Sequence, residues 1–355
     1  MKPILGAILS VSSVRLKDDE KRLLERYNPV GVSLFSRNIE NIKQTKALIQ
    51  NIKEVIGRDD VLIALDEEGG RVDRLKPLTD IRLASQALIG ASGSVKTAKA
   101  HAYLVSSMMH DVGANFNFAP VLALEYATMT TALQARTFSK GPQKTARLGR
   151  ALWQTYVKEG ICPCIKHLPG HGRAKVDPHL HLPTITASLD ELARDFMPFV
   201  QNNDCPAGMV AHIVLTAIDN QKPMTFSKKG IENIIRGRIG FDGFLISDAL
   251  EMGALSGSVA DRTRQALAAG LDAVCYCMGD LDGLKAVCEH AKPLSDDALL
   301  RFEKVSKVLK THRPQRNLAF IKERYYSSIS LSVEQKIEYD ATEVLFKMKQ
   351  GENKC

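Results

Sequence analysis

The sequence predicts an α/β fold, a (β/α)8 TIM-like barrel in one domain. Three observations carry that expectation. Eight short apolar, β-branched runs recur along the chain, amphipathic stretches separate most of them, and polar residues gather at the C-terminal ends of the runs. Strands alternating with helices make parallel βαβ units, and eight of them without a low-complexity linker favour a closed barrel over the competing doubly wound sheet.

The first run, residues 4–9, follows Lys2 and faintly imitates a signal peptide, but Pro3 and Gly6 interrupt it and its removal would delete a strand. Runs follow at 31–35, 61–66, 115–121, 161–167, 208–213, 243–248 and 271–278, with helical patterns at 42–56, 95–110, 143–158, 189–200, 228–239 and 259–269. Asp66 ends the third run, Lys166 and His167 end the fifth, His212 nearly ends the sixth, and Asp248 ends the seventh. In mid-strand each would be a costly buried polar group. At the strand ends they share one rim, where such barrels place their active sites. Residues 1–312 therefore read as the barrel. Residues 313–355, rich in charge and tyrosine, read as an extension packed on it or partly flexible, with 342–349 helical.

A chain of 355 residues with 45% apolar and 25% charged residues can bury a large core. No apolar run approaches the roughly 20 residues of a membrane span, so a soluble protein is expected. Seven scattered cysteines with no C-x-x-C pair fit reduced thiols in the cytoplasm better than a disulfide framework. The net charge of +8 could favour anionic partners, but its basic residues are dispersed and match no nucleic-acid motif, so no nucleic-acid partner is expected.

The densest chemical signal is Lys166-His167-Leu168-Pro169-Gly170-His171-Gly172, followed by Asp177-Pro178-His179-Leu180-His181, which places four of the nine histidines within fifteen positions. Its glycines let the backbone leave strand geometry, so residues 171–183 read as a long loop over the barrel mouth. Such a cluster could ligate zinc. The favoured reading is an Asp-His pair in which Asp177 orients His179 for proton transfer, while His171 and His181 could equally be satisfied loop residues. No metal and no cofactor are expected. The preference rests on two further motifs. The stretch from Asp66 to Arg74, Asp-Glu-Glu-Gly-Gly-Arg-Val-Asp-Arg, sets a carboxylate at a strand end and arginines behind it, which suits hydroxyl recognition. Gly243-Phe244-Leu245-Ile246-Ser247-Asp248 delivers one carboxylate from an apolar strand, suited to nucleophilic attack.

These motifs, with Asn117 to Val121 and Arg136-Thr137-Phe138 in the same order, resemble glycoside hydrolase family three, and within it the single-domain bacterial β-N-acetylglucosaminidases that recycle cell-wall muropeptides. The resemblance implies a retaining β-N-acetylhexosaminidase acting on a small carbohydrate or muropeptide. It implies Asp248 as nucleophile, His179 as acid/base and Asp177 as its partner, with Asp66, Arg74, Arg136, Lys166 and His167 binding the sugar. Pro178 stands where relatives have serine, which leaves the geometry of the dyad to be settled; Ala123 replaces an aspartate, and Ala249 and Glu251 depart mildly. A β-glucosidase, a glycoside phosphorylase, a metal-dependent hydrolase and a non-catalytic sugar-binding paralogue are the alternatives.

Overall fold

The computed structural model describes residues 2–312 and 314–329. Eight strands close into a parallel barrel: β1 Leu5–Ser10, β2 Pro29–Ser33, β3 Leu62–Leu65, β4 Phe116–Asn117, β5 Cys162–Leu168, β6 Ala207–Val210, β7 Phe244–Ala249 and β8 Ala273–Cys275. Each pairs with its sequence neighbours, and β1 meets β8 with Ile8 opposite Cys275 to complete the circle. The predicted fold class is therefore the observed one.

Alternation along the strands builds two apolar layers, because successive side chains point to opposite faces. Ile8, Leu62, Ala64, Phe116, Cys164, Met209, Phe244, Ile246 and Cys275 pack inside the barrel. Leu9, Ile63, Leu65, Ile165, Leu245 and Val274 face the helical coat. Helix Asp296–Leu309, capped where Ser295 Oγ accepts from Ala298 N–H at 3.2 Å, closes the N-terminal end of the barrel. Its Ala298, Phe302, Val305 and Val308 join the interior cluster, with Phe302 against Phe244 at 5.8 Å between ring centroids.

Two elements depart from their sequence patterns. The apolar run at 115–121 pairs as strand only at Phe116–Asn117, because Pro120 has no N–H for the ladder; the run rejoins the sheet at Val121, bridged to Lys166. The stretch at 228–239 forms a π-helix, Gly230–Arg238, closed where Ile239 N–H donates to Ile234 O at 2.8 Å. The helical stretch expected at 342–349 lies outside the described residues. Within the C-terminal extension, helix Leu318–Ser328 packs on helix Val95–Val112 and buries Tyr325 completely. Among the described residues no helix is long and apolar enough to cross a membrane.

Candidate active site

The C-terminal ends of the strands surround an open cavity. Asp66, Arg74, Arg136, Lys166, His167, His179 and Asp248 all line it. Asp248 shares the inward face of β7 with Ile246, two residues earlier. Its Oδ1 accepts from Ala249 N–H at 2.8 Å, and its Oδ2 lies 3.7 Å from His167 Nε2. The strand beneath is fixed where Cys275 N–H donates to the buried Ser247 Oγ at 2.9 Å.

Asp177 and His179 lie on the loop that crosses the mouth. Asp177 Oδ1 accepts from His179 N–H at 2.9 Å and from His179 Nδ1–H at 2.7 Å, so one carboxylate oxygen forms the turn and fixes the tautomer. Pro178 fits between them without disturbing the pair. Burial pushes the Asp177 carboxyl up, but the hydrogen bond and charge of His179 outweigh it and hold the group below the usual aspartate range. With Nδ1 committed, Nε2 is the nitrogen left for a bound molecule. The loop docks on the segment that follows Asp248: Gly253 N–H donates to His179 O at 2.9 Å and Ala254 N–H to Pro178 O at 3.0 Å. A Cβ at Gly253 would stand 2.7 Å from Leu180 O and 2.8 Å from His179 O. The start of the loop is held by Arg173, whose Nε–H donates to Asp195 at 2.8 Å while its guanidinium covers Tyr126.

Opposite the loop lies a charged network. Lys166 Nζ is 2.7 Å from Asp66 and 2.6 Å from Glu68, Arg136 grips Glu68 with two donors at 2.7 and 2.9 Å, and Arg74 is 3.6 Å from Asp66. Burial opposes the Glu68 charge, but Arg136 and Lys166 bring its carboxyl down to about 2. Burial likewise opposes the Lys166 charge, and Asp66 and Glu68 overcome it. Glu68 and Lys166 are thus ionised at neutral pH, and the network can offer both donors and acceptors to hydroxyl groups. His167 is the reverse case. Burial, followed by the neighbouring Lys166 charge, pushes its imidazole well below the usual value, so it faces Asp248 uncharged.

His212 reaches the same rim but does not line the cavity; its Nδ1 pairs with Thr225 Oγ1 at 2.6 Å and its Nε2 with Ala249 O at 3.0 Å, bracing β7 beside Asp248. His171 does line it, buried and edge-on to His167, with neither ring nitrogen bonded among the described residues. Sequence reasoning gave no role to Glu68 or Glu251. The alternation that puts Glu68 two residues beyond Asp66 was the available signal for the first. Glu251 accepts from Cys277 N–H at 3.1 and 3.2 Å, a contact made across the chain that no local pattern announces. Among the described residues no group of three or more His, Cys, Asp or Glu side chains is arranged to hold a metal ion.

Residues 5–310 match the model of the glycosyl hydrolase family 3 N-terminal domain. The β-hexosaminidase of Bordetella avium is 34% identical over 281 residues, 76% of this chain and 79% of that protein. That of Neisseria gonorrhoeae is 36% identical over 280 residues, 75% and 76% of the two chains. Among solved structures, NagZ from Neisseria gonorrhoeae in complex with N-trifluoroacetyl-D-glucosamine superposes with a TM-score of 0.82 at 30% identity, covering 92% of this chain and 98% of that one. A family 3 β-N-acetylglucosaminidase from Paenibacillus matches 97% of this chain at 26% identity and a TM-score of 0.75, although the match spans 66% of that longer protein. With the barrel, the rim of polar strand ends and the family model all coinciding over residues 5–310, the chain belongs to glycosyl hydrolase family 3.

Proposed function

We propose that this protein is a retaining β-N-acetylhexosaminidase that removes terminal β-linked N-acetylglucosamine, with anhydromuropeptides of cell-wall recycling as its substrates. The observation that carries the reading is the Asp177–His179 dyad, whose imidazole lines the same cavity as the Asp248 carboxylate. In the first step the Asp248 carboxylate attacks the anomeric carbon and the bond to the leaving oxygen breaks. The proton on His179 Nε2 passes to that oxygen, while Asp177 stabilises the imidazolium until it is given up. In the second step neutral His179 takes a proton from water, the water oxygen attacks the same carbon, and Asp248 leaves as a carboxylate. Two displacements return the original anomeric configuration.

Asp66, Lys166, Arg74 and Arg136 hold the sugar hydroxyls in this reading, and His167 binds the sugar beside Asp248. The names of the relatives support the N-acetylglucosamine part; the muropeptide part rests on the motif resemblance. A cytoplasmic location accords with the six cysteines among the described residues, all buried and unpaired.

Hydrolysis of p-nitrophenyl β-N-acetylglucosaminide against the β-glucoside, with and without chelator and with and without phosphate, tests the proposal. We expect turnover of the acetamido sugar, unaffected by chelator, with retained configuration. Preference for the glucoside, dependence on phosphate, loss on chelation or an inverted product would each replace it with a different activity.

A further inference from the structure

The C-terminal helix Leu318–Ser328 lies beyond the matched family region, yet it is tied to the cavity wall by a buried chain of hydrogen bonds. Tyr325 is fully buried, and its hydroxyl accepts from Ala84 N–H at 2.8 Å and lies 2.8 Å from His101 Nδ1. His101, also fully buried, reaches Glu68 O through Nε2 at 3.2 Å. Burial brings the His101 imidazole down to about 4, and in the neutral ring one proton arrangement satisfies all three contacts: the carbonyl of Glu68 requires Nε2–H, so Nδ1 accepts, and the Tyr325 O–H donates to it. The chain is therefore directional and specific to a tyrosine at this position.

Its end point is the carboxylate network. The Glu68 side chain holds both Arg136 and Lys166, which line the cavity. His101 also packs against the neighbouring Gly69, where a Cβ would meet its Cε1 at 2.7 Å and Ala84 O at 2.4 Å. Gly69 has φ +90°, so the close approach and the backbone conformation both call for glycine. The same helix holds the flanking segment through Tyr326, whose hydroxyl accepts from Arg82 N–H at 2.8 Å, but that contact is exposed and does not touch His101.

We infer that Tyr325 and His101 are positioning residues for sugar binding: through the backbone of Glu68 they set where Arg136 and Lys166 stand, so the C-terminal helix is a working part of the cavity. The inference rests on the sugar-site reading above. It does not require Tyr325 to touch substrate.

The test compares Tyr325→Phe with Tyr326→Phe in the full chain. Tyr325→Phe keeps the ring and deletes the hydroxyl. With a buried neutral hydrogen bond at stake, we expect KM for p-nitrophenyl β-N-acetylglucosaminide and the calorimetric Kd for N-acetylglucosamine to rise on the order of fivefold with kcat nearly unchanged. Amide hydrogen exchange across residues 66–74 should accelerate. Tyr326→Phe should leave all three at wild-type values. Equal melting losses in both variants with unchanged KM, Kd and exchange in Tyr325→Phe would overturn the inference and leave the helix a merely structural cover. A wild-type protein that neither binds nor cleaves the sugar would overturn the proposed function instead, and the exchange comparison would still decide whether Tyr325 orders the Glu68 segment.

Discussion

At the scale of single residues, Asp177 spends one oxygen on two donors from the same histidine, which leaves the His179 ring little rotational freedom. That arrangement predicts a graded effect of the leaving group. His179→Ala should slow cleavage of natural disaccharides on the order of 100-fold to 10,000-fold, the range of general acid/base catalysis. Aryl glycosides, whose leaving groups need little protonation, should lose less in the first step, and azide should rescue the second. Equal losses for good and poor leaving groups, with no azide rescue, would move the proton transfer to another residue, with His171 and His181 on the same loop the next candidates. Asp248→Ala should be nearly inactive on every substrate, and a fluorinated sugar that traps the intermediate should label the peptide containing Asp248. A label elsewhere would sink the assignment of the nucleophile.

At the scale of elements, the site is assembled by two loops that hold each other. The segment after β7 donates two backbone hydrogen bonds to the Pro178–His179 stretch, so the loop bearing the proton carrier is seated on the strand bearing the nucleophile. Gly253→Val would drive a side chain into the carbonyls of His179 and Leu180 and lift that loop. Misplacement of about an ångström can cost on the order of 100-fold, so kcat/KM on disaccharides should fall by that order while sugar affinity changes little. In the double variant Gly253→Val/His179→Ala the losses should not add, because both act through one imidazole; full additivity would show that Gly253 acts elsewhere. Much of this level was legible in the sequence. The apolar runs located all eight strands, and the polar residues at their ends located the mouth of the barrel. Less visible was helix Asp18–Tyr27, whose sequence is mostly charged and which buries only Glu20, Leu23 and Leu24, so it holds too few apolar residues to stand out. The π-helix was also hidden, since a pattern of apolar spacing does not reveal whether hydrogen bonds span four residues or five. Glu251 and the Tyr325–His101 chain depend on contacts between distant segments, for which a single sequence holds no local sign, and Glu68 was marked only by its alternation with Asp66.

For the molecule as a whole, buried neutral histidines set the acid limit. Burial brings His101 and His171 down to about 4 and lowers His167 and His212. The unfolded chain takes up these protons near pH 6.5, whereas the folded protein resists them. The stability they contribute is complete above about 6.5 and drains away as pH falls toward 4. Glu68 extends the same trend, since its carboxylate is favoured in the fold until about pH 2. Glu67, Asp73 and Asp195, whose carboxyls burial pushes up, act in the opposite sense. The histidine contribution is therefore read by difference: between about pH 6.5 and 4 the melting temperature of His101→Gln should fall less steeply, or rise more, than that of the wild type. Identical pH dependence in the two proteins would contradict the neutral assignment of His101.

Helix Asp296–Leu309 and the packed barrel interior close the floor beneath the site, so among the described residues the cavity opens at the C-terminal mouth of the barrel. On the proposed reading, in which a terminal sugar seats on that floor at Asp248 with its aglycone toward solvent, the enzyme should trim residues from an end and leave internal linkages alone. The same geometry orders departure: the aglycone sits between the sugar and the exit and must go first, and the sugar follows after water has released it. Free N-acetylglucosamine should accordingly compete with substrate for the empty enzyme, whereas the departing aglycone should not.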